Sequence, residues 1–345
     1  MNVYSIIHLG PGKMGTAFAR IVFSHRHYLK ERYNVDLRYS GALKSKTGMF
    51  ERQGLSEEAF TAFDTYARSY AIEQMLGEIE GTPILVDTTS SDETIPAILT
   101  VLKQGGYAVL SNKKPLTGDY ALFNTLIHEY PGKVYYETTV GGALPVINTL
   151  QTLLESGDRI DSIEGVLSGT LSFICSEIDQ GERYSEAIAE ARNRGYTEPD
   201  PRDDLSGSDV ARKALILARM LGREIEMKDI PVMPFFDESL RDLNTEQFME
   251  TLPIHDDHYT IKFKRAKDQN HTWRYVAAVS QKDVSVSLKE VPVASPLGQL
   301  TGPDNKIIFT SDRYHSSPLV ICGPGAGVGV TAGGVFGDIL RIVRR

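Results

Sequence analysis

The sequence predicts an α/β fold in which a doubly wound parallel sheet is joined to a second α+β domain. Three observations carry this expectation. Apolar strand-like runs alternate with helical patterns through the first 140 residues, the first run ends in a glycine turn, and the pattern changes near residue 145. At 345 residues the chain exceeds one ordinary domain, and it can bury about 75% of its unfolded surface without covalent staples.

In order, residues 3–9, "VYSIIHL", read as a strand, Gly10-Pro11-Gly12-Lys13-Met14-Gly15 as a turn, and "TAFARIVFSHRHYLKER" as a helix. Further strands are expected at 35–43, 82–89, 106–112 and 133–140, with helices at "ETIPAILTVLKQG" and "DYALFNTLIHEY" between them. Right-handed crossovers then give a parallel sheet covered on both faces. Beyond residue 145, "LPVINTLQTLLESG" has helical spacing, and "IDSIEGVLSGTLSFICSEI" is a strand entering a helix. The alternating segments "DHYTIKFKRAK", "TWRYVAAVSQ" and "DVSVSLKEVPV" suggest an antiparallel or mixed sheet, and the tail "GVFGDILRIVRR" a helix returning to the first domain. The expected domains are 1–140 plus 318–345, discontinuous, and 141–317.

Cys175 and Cys322 form neither a CxxC nor a metal-ligand spacing, which sets disulfide and zinc frameworks aside. The start "MNVYSIIHLGPGKMG" lacks the basic and apolar pattern of a secretory leader, and the longest uncharged window is too rich in glycine and proline for a membrane helix. A cytoplasmic protein is expected. Net charge −8 without a basic stripe argues against nucleic acid as partner.

Gly10, Gly12 and Gly15 are spaced G-x-G-x-x-G between strand and helix, where the backbone can approach a pyrophosphate at a helix N-terminus. Alone the pattern also occurs in plain turns; at the head of a βαβ series it points to a Rossmann-type dinucleotide domain, with Lys13 and Met14 inside the turn. At the end of the second strand, Lys44, Ser45 and Lys46 stand where a ribose-binding carboxylate would select NAD, which favours NADP. The same lysines also read as solvated loop charges. Thr89 and Ser90 in "DTTSSDE" and Lys113 in "SNKKP" follow strands, where such sheets bind ligands, although a hydroxyl-rich turn also serves as a helix cap.

The stretch "GYTEPDPRDDLSGSDVARK" gathers Glu198, Asp203, Asp204 and Asp209 ahead of Lys213. Asp209 and Lys213 are four apart and share a helix face. One reading is a solvated acidic loop; the other is a site that grips an ammonium and moves a proton through a partly buried lysine.

Together with "YYETTVGGALPVINTL", "GVLSGTLSFI" and "GPGAGVGVTAGGVFGDIL", this stretch resembles homoserine dehydrogenase over nearly the whole chain. The resemblance implies interconversion of L-homoserine and L-aspartate 4-semialdehyde with NADP or NAD, on the route to threonine, methionine and isoleucine. It implies that Glu198 and Asp204, with Asp203 beside them, hold the amino acid end of the substrate, and that Tyr196, Gly169 and Thr170 line its site. Asp209 and Lys213 fall near the reacting hydroxyl and Lys113 at the cofactor–substrate junction, with Lys213 the expected proton donor and Lys113 the runner-up. Gly325 falls on a cofactor-contacting loop. Glu137 and the carbonyls of Val140, Gly142 and Leu144 fall on a sodium site, with alanine at 143 where relatives commonly have glycine. The resemblance further implies a homodimer, through alternating strands between 258 and 293, and a short form lacking the regulatory domain and the fused aspartate kinase. The competing expectations are a related NAD(P) oxidoreductase on another amino-alcohol or semialdehyde, and a non-catalytic dinucleotide sensor, which would not need the acid-and-lysine set.

Overall fold

A computed structural model describes residues 1–45 and 47–344, so Lys46 lies outside the described residues. The chain forms two compact units, Met1–Ala143 with Ala326–Arg345, and Leu144–Gly325.

The first unit is built on β1 (Asn2–Leu9), β2 (Val35–Leu43), β3 (Gly48–Phe50), β4 (Thr82–Asp87), β5 (Tyr107–Leu110) and β6 (Val134–Tyr135). Their order is β3-β2-β1-β4-β5-β6. All pairings are parallel except that of β3 with β2, which is antiparallel. The three-residue edge strand β3 is too short to leave a periodic signal in the sequence. The helix Lys13–Tyr33 packs against the returning helix Val328–Val343. Phe18 and Val22 from the one and Val335, Phe336 and Ile339 from the other join Ile6, Tyr39, Ile84 and Val109 of the sheet in one core.

The strand expected at 133–140 is a correction, because only Val134–Tyr135 pairs and the chain then enters a 3-10 turn at Glu137–Thr139. Local bonds draw the backbone out of the ladder. The Thr139 hydroxyl donates to the Tyr136 carbonyl at 2.7 Å, and the Glu137 N–H donates to Asp338 at 3.0 Å.

The second unit carries β7 (Ile160–Val166), β8 (His271–Ser280), β9 (Val284–Pro292), β10 (Asn305–Ser311) and β11 (Leu319–Gly323), ordered β11-β10-β7-β8-β9. Every pairing is antiparallel. The helices Gly169–Gln180, Ser208–Met220 and Asp256–Asp268 pack on β8.

Two further corrections fall here. Residues 257–267, expected as a strand, belong to the helix Asp256–Asp268. Tyr259, Ile261 and Phe263 imitate a strand's alternation, but burial follows Phe263 and Ala266, three apart. Asp256 and Asp257 in the first turn and Arg265 and Lys267 in the last also suit the helix dipole. The strands within 258–293 are therefore β8 and β9 only. In addition, β11 pairs with β10 in the second sheet, and the return to the first unit falls at Ala326 rather than 318. Its alternation of half-buried Leu319 and Ile321 with exposed Val320 and Cys322 is hidden in a glycine- and proline-rich stretch.

Candidate active site

In the first unit the glycine turn sits at the carboxyl end of β1. Gly10 takes φ +83°, which L side chains rarely adopt, and a Cβ there would press on Thr89 at 2.8 Å. Its N–H donates to Leu43 at 2.9 Å, and its carbonyl accepts from Gly12 at 2.7 Å. Gly12 caps the helix without a side chain, so Lys13, Met14 and Gly15 open it with N–H groups that no earlier helical turn can engage. The space above Gly12 is open, with nothing within 4 Å of a Cβ built there, as an approaching phosphate requires.

The neighbouring turns are set by one buried carboxylate. Asp87, at the end of β4, accepts from the Thr89 N–H at 2.9 Å and hydroxyl at 2.7 Å, from the Thr94 hydroxyl at 2.6 Å and from Asn112 at 3.0 Å. Asn112 also donates to the Ser91 carbonyl at 2.6 Å and accepts from the Lys114 N–H at 3.1 Å. Asp87 and Asn112 thus fix the loops that carry Thr89, Ser90 and Lys113. Both residues stood inside quoted turns, "DTTSSDE" and "SNKKP", but a buried acid is indistinguishable there from an exposed one. Lys113 is half-buried, and its carbonyl caps the following short helix. Lys44 is paired with Asp64 and lies over the Phe63 ring at 4.7 Å.

Glu137 is buried in its 3-10 turn, followed by Gly141 at φ +78° and Gly142 at φ +63°. A buried carboxylate in a loop whose glycines can turn carbonyls is a donor set that fits a hard monovalent cation. Burial pushes Asp338, which accepts the Glu137 N–H, up to about 6. Leu144 opens the second unit, and its carbonyl accepts the Val146 N–H at 2.7 Å. Among the described residues, no group of three or more His, Cys, Asp or Glu is placed to hold a metal ion. Gly325 closes the second unit, and a Cβ there would meet the buried Asn305 amide at 1.9 Å.

The acidic stretch forms the cluster of the second unit. Asp200 is engaged by Arg202 and the Thr245 hydroxyl, and the Arg202 pairing holds it down at about 2. Arg202 reaches on to the carbonyls of Arg241 and Leu243, so this pair braces the loop rather than facing a ligand. Asp204 accepts from the Glu198 N–H at 2.8 Å and the Thr170 hydroxyl at 3.2 Å. Burial raises the Asp204 pKa, and the charges of Glu198 and Asp209 add to that. The Thr170 hydroxyl also lies 2.7 Å from the Tyr196 carbonyl, and the Tyr196 ring packs edge-on to Phe173 at 5.1 Å. Gly169 starts the helix that carries Thr170, and a Cβ there would meet the Pro303 carbonyl at 2.7 Å. Glu198 and Asp203 are exposed.

Gly207, at φ +71°, begins the helix Ser208–Met220. Lys213 on that helix has a side chain only 11% exposed, and its Nζ meets Asp209 at 2.9 Å and donates to the Leu167 carbonyl at 2.6 Å. With Asp209 half-exposed, the ion pair is worth roughly 0.3–0.5 kcal/mol, so its consequence is positional. The Leu167 carbonyl, at the end of β7, left no sequence signal, because a backbone acceptor has no residue type.

A Rossmann-type sheet with a glycine turn, linked to an antiparallel-sheet unit that carries a buried lysine among carboxylates, defines a class of two-domain α/β proteins. Residues 145–340 match the family model described as homoserine dehydrogenase. The chain belongs to the homoserine dehydrogenase family. It is 34% identical to homoserine dehydrogenase of Saccharomyces cerevisiae over 360 aligned residues, covering 100% of this chain and 99% of that one. It is 39% identical to bifunctional aspartokinase/homoserine dehydrogenase 1, chloroplastic, of Zea mays, over 97% of this chain but only 38% of that protein's length. A hyperthermophilic archaeal homoserine dehydrogenase in complex with NADPH superposes with a TM-score of 0.74 at 25% identity, covering 98% of this chain and 97% of that one. No described helix is long and apolar enough to cross a membrane.

Proposed function

We propose that the protein is a homoserine dehydrogenase, interconverting L-aspartate 4-semialdehyde and L-homoserine with NAD(P). The observation that carries this reading is Lys213, buried to its ammonium and held between Asp209 and the Leu167 carbonyl on the unit that also bears Asp204 and Glu198. The first unit, with Gly10, Gly12, Lys13, Met14, Gly15, Thr89, Ser90 and Lys113, takes the dinucleotide. The second takes the substrate.

The carboxylates of Glu198 and Asp204 draw in the substrate ammonium, with Asp203 adding to the field. Thr170, Gly169 and Tyr196 shape the space around it. The bound cofactor supplies the hydride for the aldehyde carbon. Lys213 delivers a proton from Nζ to the carbonyl oxygen as charge develops there, yielding the hydroxyl of homoserine, and Asp209 keeps that ammonium aligned. Lys113 adds positive charge to the cofactor unit. Lys44 favours the 2′-phosphate of NADP. A sodium ion would be held by the Glu137 carboxylate and the carbonyls of Val140, Gly142 and Leu144. We place the enzyme in the cytoplasm as a homodimer assembled through the second sheet.

The test is to mix purified protein with L-homoserine and NADP⁺ or NAD⁺ and follow reduced-nicotinamide absorbance. Formation is expected, faster with NADP⁺. No formation in folded, cofactor-binding protein would overturn the homoserine assignment.

A further inference from the structure

A histidine lies under the glycine turn, and the proposed chemistry makes no use of it. His8, on β1, is wholly buried in the middle of a parallel sheet, where an apolar side chain would serve packing as well. Both ring nitrogens are engaged, Nδ1 with the Tyr39 hydroxyl at 2.5 Å and Nε2 with the Thr88 hydroxyl at 2.8 Å. Burial pushes the imidazole down to about 3, so the ring is neutral.

The direction of each hydrogen bond follows from proton counting. Thr88 Oγ1 lies 2.7 Å from the Gly10 carbonyl and 3.1 Å from that of Leu9, and neither oxygen can donate. The single Thr88 proton therefore goes to a carbonyl, and Nε2 must carry the hydrogen that Thr88 accepts. Nδ1 is then bare, and the Tyr39 hydroxyl donates to it. The result is a one-way chain running from Tyr39 on β2, through His8 on β1, to Thr88 after β4, ending on the carbonyl of the first glycine. His8 also forms the floor of the turn, since a Cβ on Gly15 would lie 2.6 Å from its Cε1.

We infer that His8 is a positioning residue for the dinucleotide, a neutral Nε2–H imidazole that links Tyr39 to Thr88 and so fixes the Gly10 carbonyl and the pitch of the glycine turn. The inference rests on the reading of the first unit as the cofactor domain. It deepens that reading by assigning turn geometry to a side-chain chain that touches no ligand.

The test combines three measurements on the full chain. Nitrogen NMR of the wild-type imidazole reads the tautomer directly, with or without cofactor. NADPH titration by fluorescence reads affinity in wild type, His8→Phe and Tyr39→Phe, the second variant removing only the hydroxyl that starts the chain. Steady-state kinetics separate the KM for cofactor from kcat and from the KM for homoserine. The expected result is a neutral Nε2–H ring, with NADPH dissociation constants raised about tenfold in His8→Phe and about threefold in Tyr39→Phe, and kcat within about twofold of wild type. A Nδ1–H tautomer, or unchanged NADPH affinity in folded Tyr39→Phe, would overturn the inference even if His8→Phe fails to fold. If wild type binds no NADPH, the cofactor reading falls instead, while the tautomer still decides whether the chain exists.

Discussion

The two units present opposite kinds of recognition surface. The first offers backbone, with glycines that leave space, N–H groups at a helix start, and polar side chains such as Asp87 and Asn112 that bond loops rather than project outward. The second offers charge, with Glu198 and Asp203 exposed, Asp204 partly buried and one lysine held inside. A backbone cradle suits a large ligand with an invariant pyrophosphate. Side-chain charges suit a small amino acid, whose identity resides in a few groups. Substitutions should therefore act through loop shape in the first unit and through individual ionic contacts in the second.

The largest effect is expected from Lys213→Ala, which should lower kcat by about 10²–10⁴ with NADPH binding unchanged. An equal loss of cofactor affinity would erase the division between the units. An intermediate effect is expected from Asp204→Asn, which should raise the KM for homoserine about tenfold or more through a lost charged contact. The same variant carries a signature in stability. Burial raises the folded pKa of Asp204 above that of the unfolded chain, so its contribution is complete at low pH and is lost as pH rises from the unfolded value through the raised one. Asparagine does not titrate. Denaturation curves should show the variant gaining on wild type as pH rises above about 4, whereas a constant offset would remove the burial argument. The smallest effect belongs to Lys44→Ala, because Lys44 is exposed and its charge is opposed by Asp64. The KM for NADP⁺ should rise about twofold to fivefold with that for NAD⁺ unchanged. Equal rises for both would show that Lys44 does not read the 2′-phosphate.

Most of the first sheet was legible because parallel strands buried on both faces are continuous apolar runs, as in "YSIIHL" and "TPILVD". The 3-10 turn at Glu137–Thr139 was not, since bonds to Tyr136 and to the distant Asp338 decide it. The helix Asp256–Asp268 is masked in the sequence by a short apolar alternation that outweighs its end charges. In the second cluster, the pairing of Asp209 with Lys213 follows from helix spacing, whereas the Leu167 acceptor and the Thr170–Asp204 bond require chain reversals that a linear pattern does not encode. His8 illustrates the same limit, since its two partners lie 31 and 80 residues away.

The bond from Lys213 to the Leu167 carbonyl also bears on timing. A free lysine side chain samples many rotamers, worth about 2 kcal/mol of conformational entropy. Here the side chain is largely buried and its head is tethered at Leu167, so that freedom is already given up when the chain folds. A substrate arriving at this cluster would meet an ammonium whose direction is set beforehand, and the search for alignment would be left to the smaller, more mobile molecule.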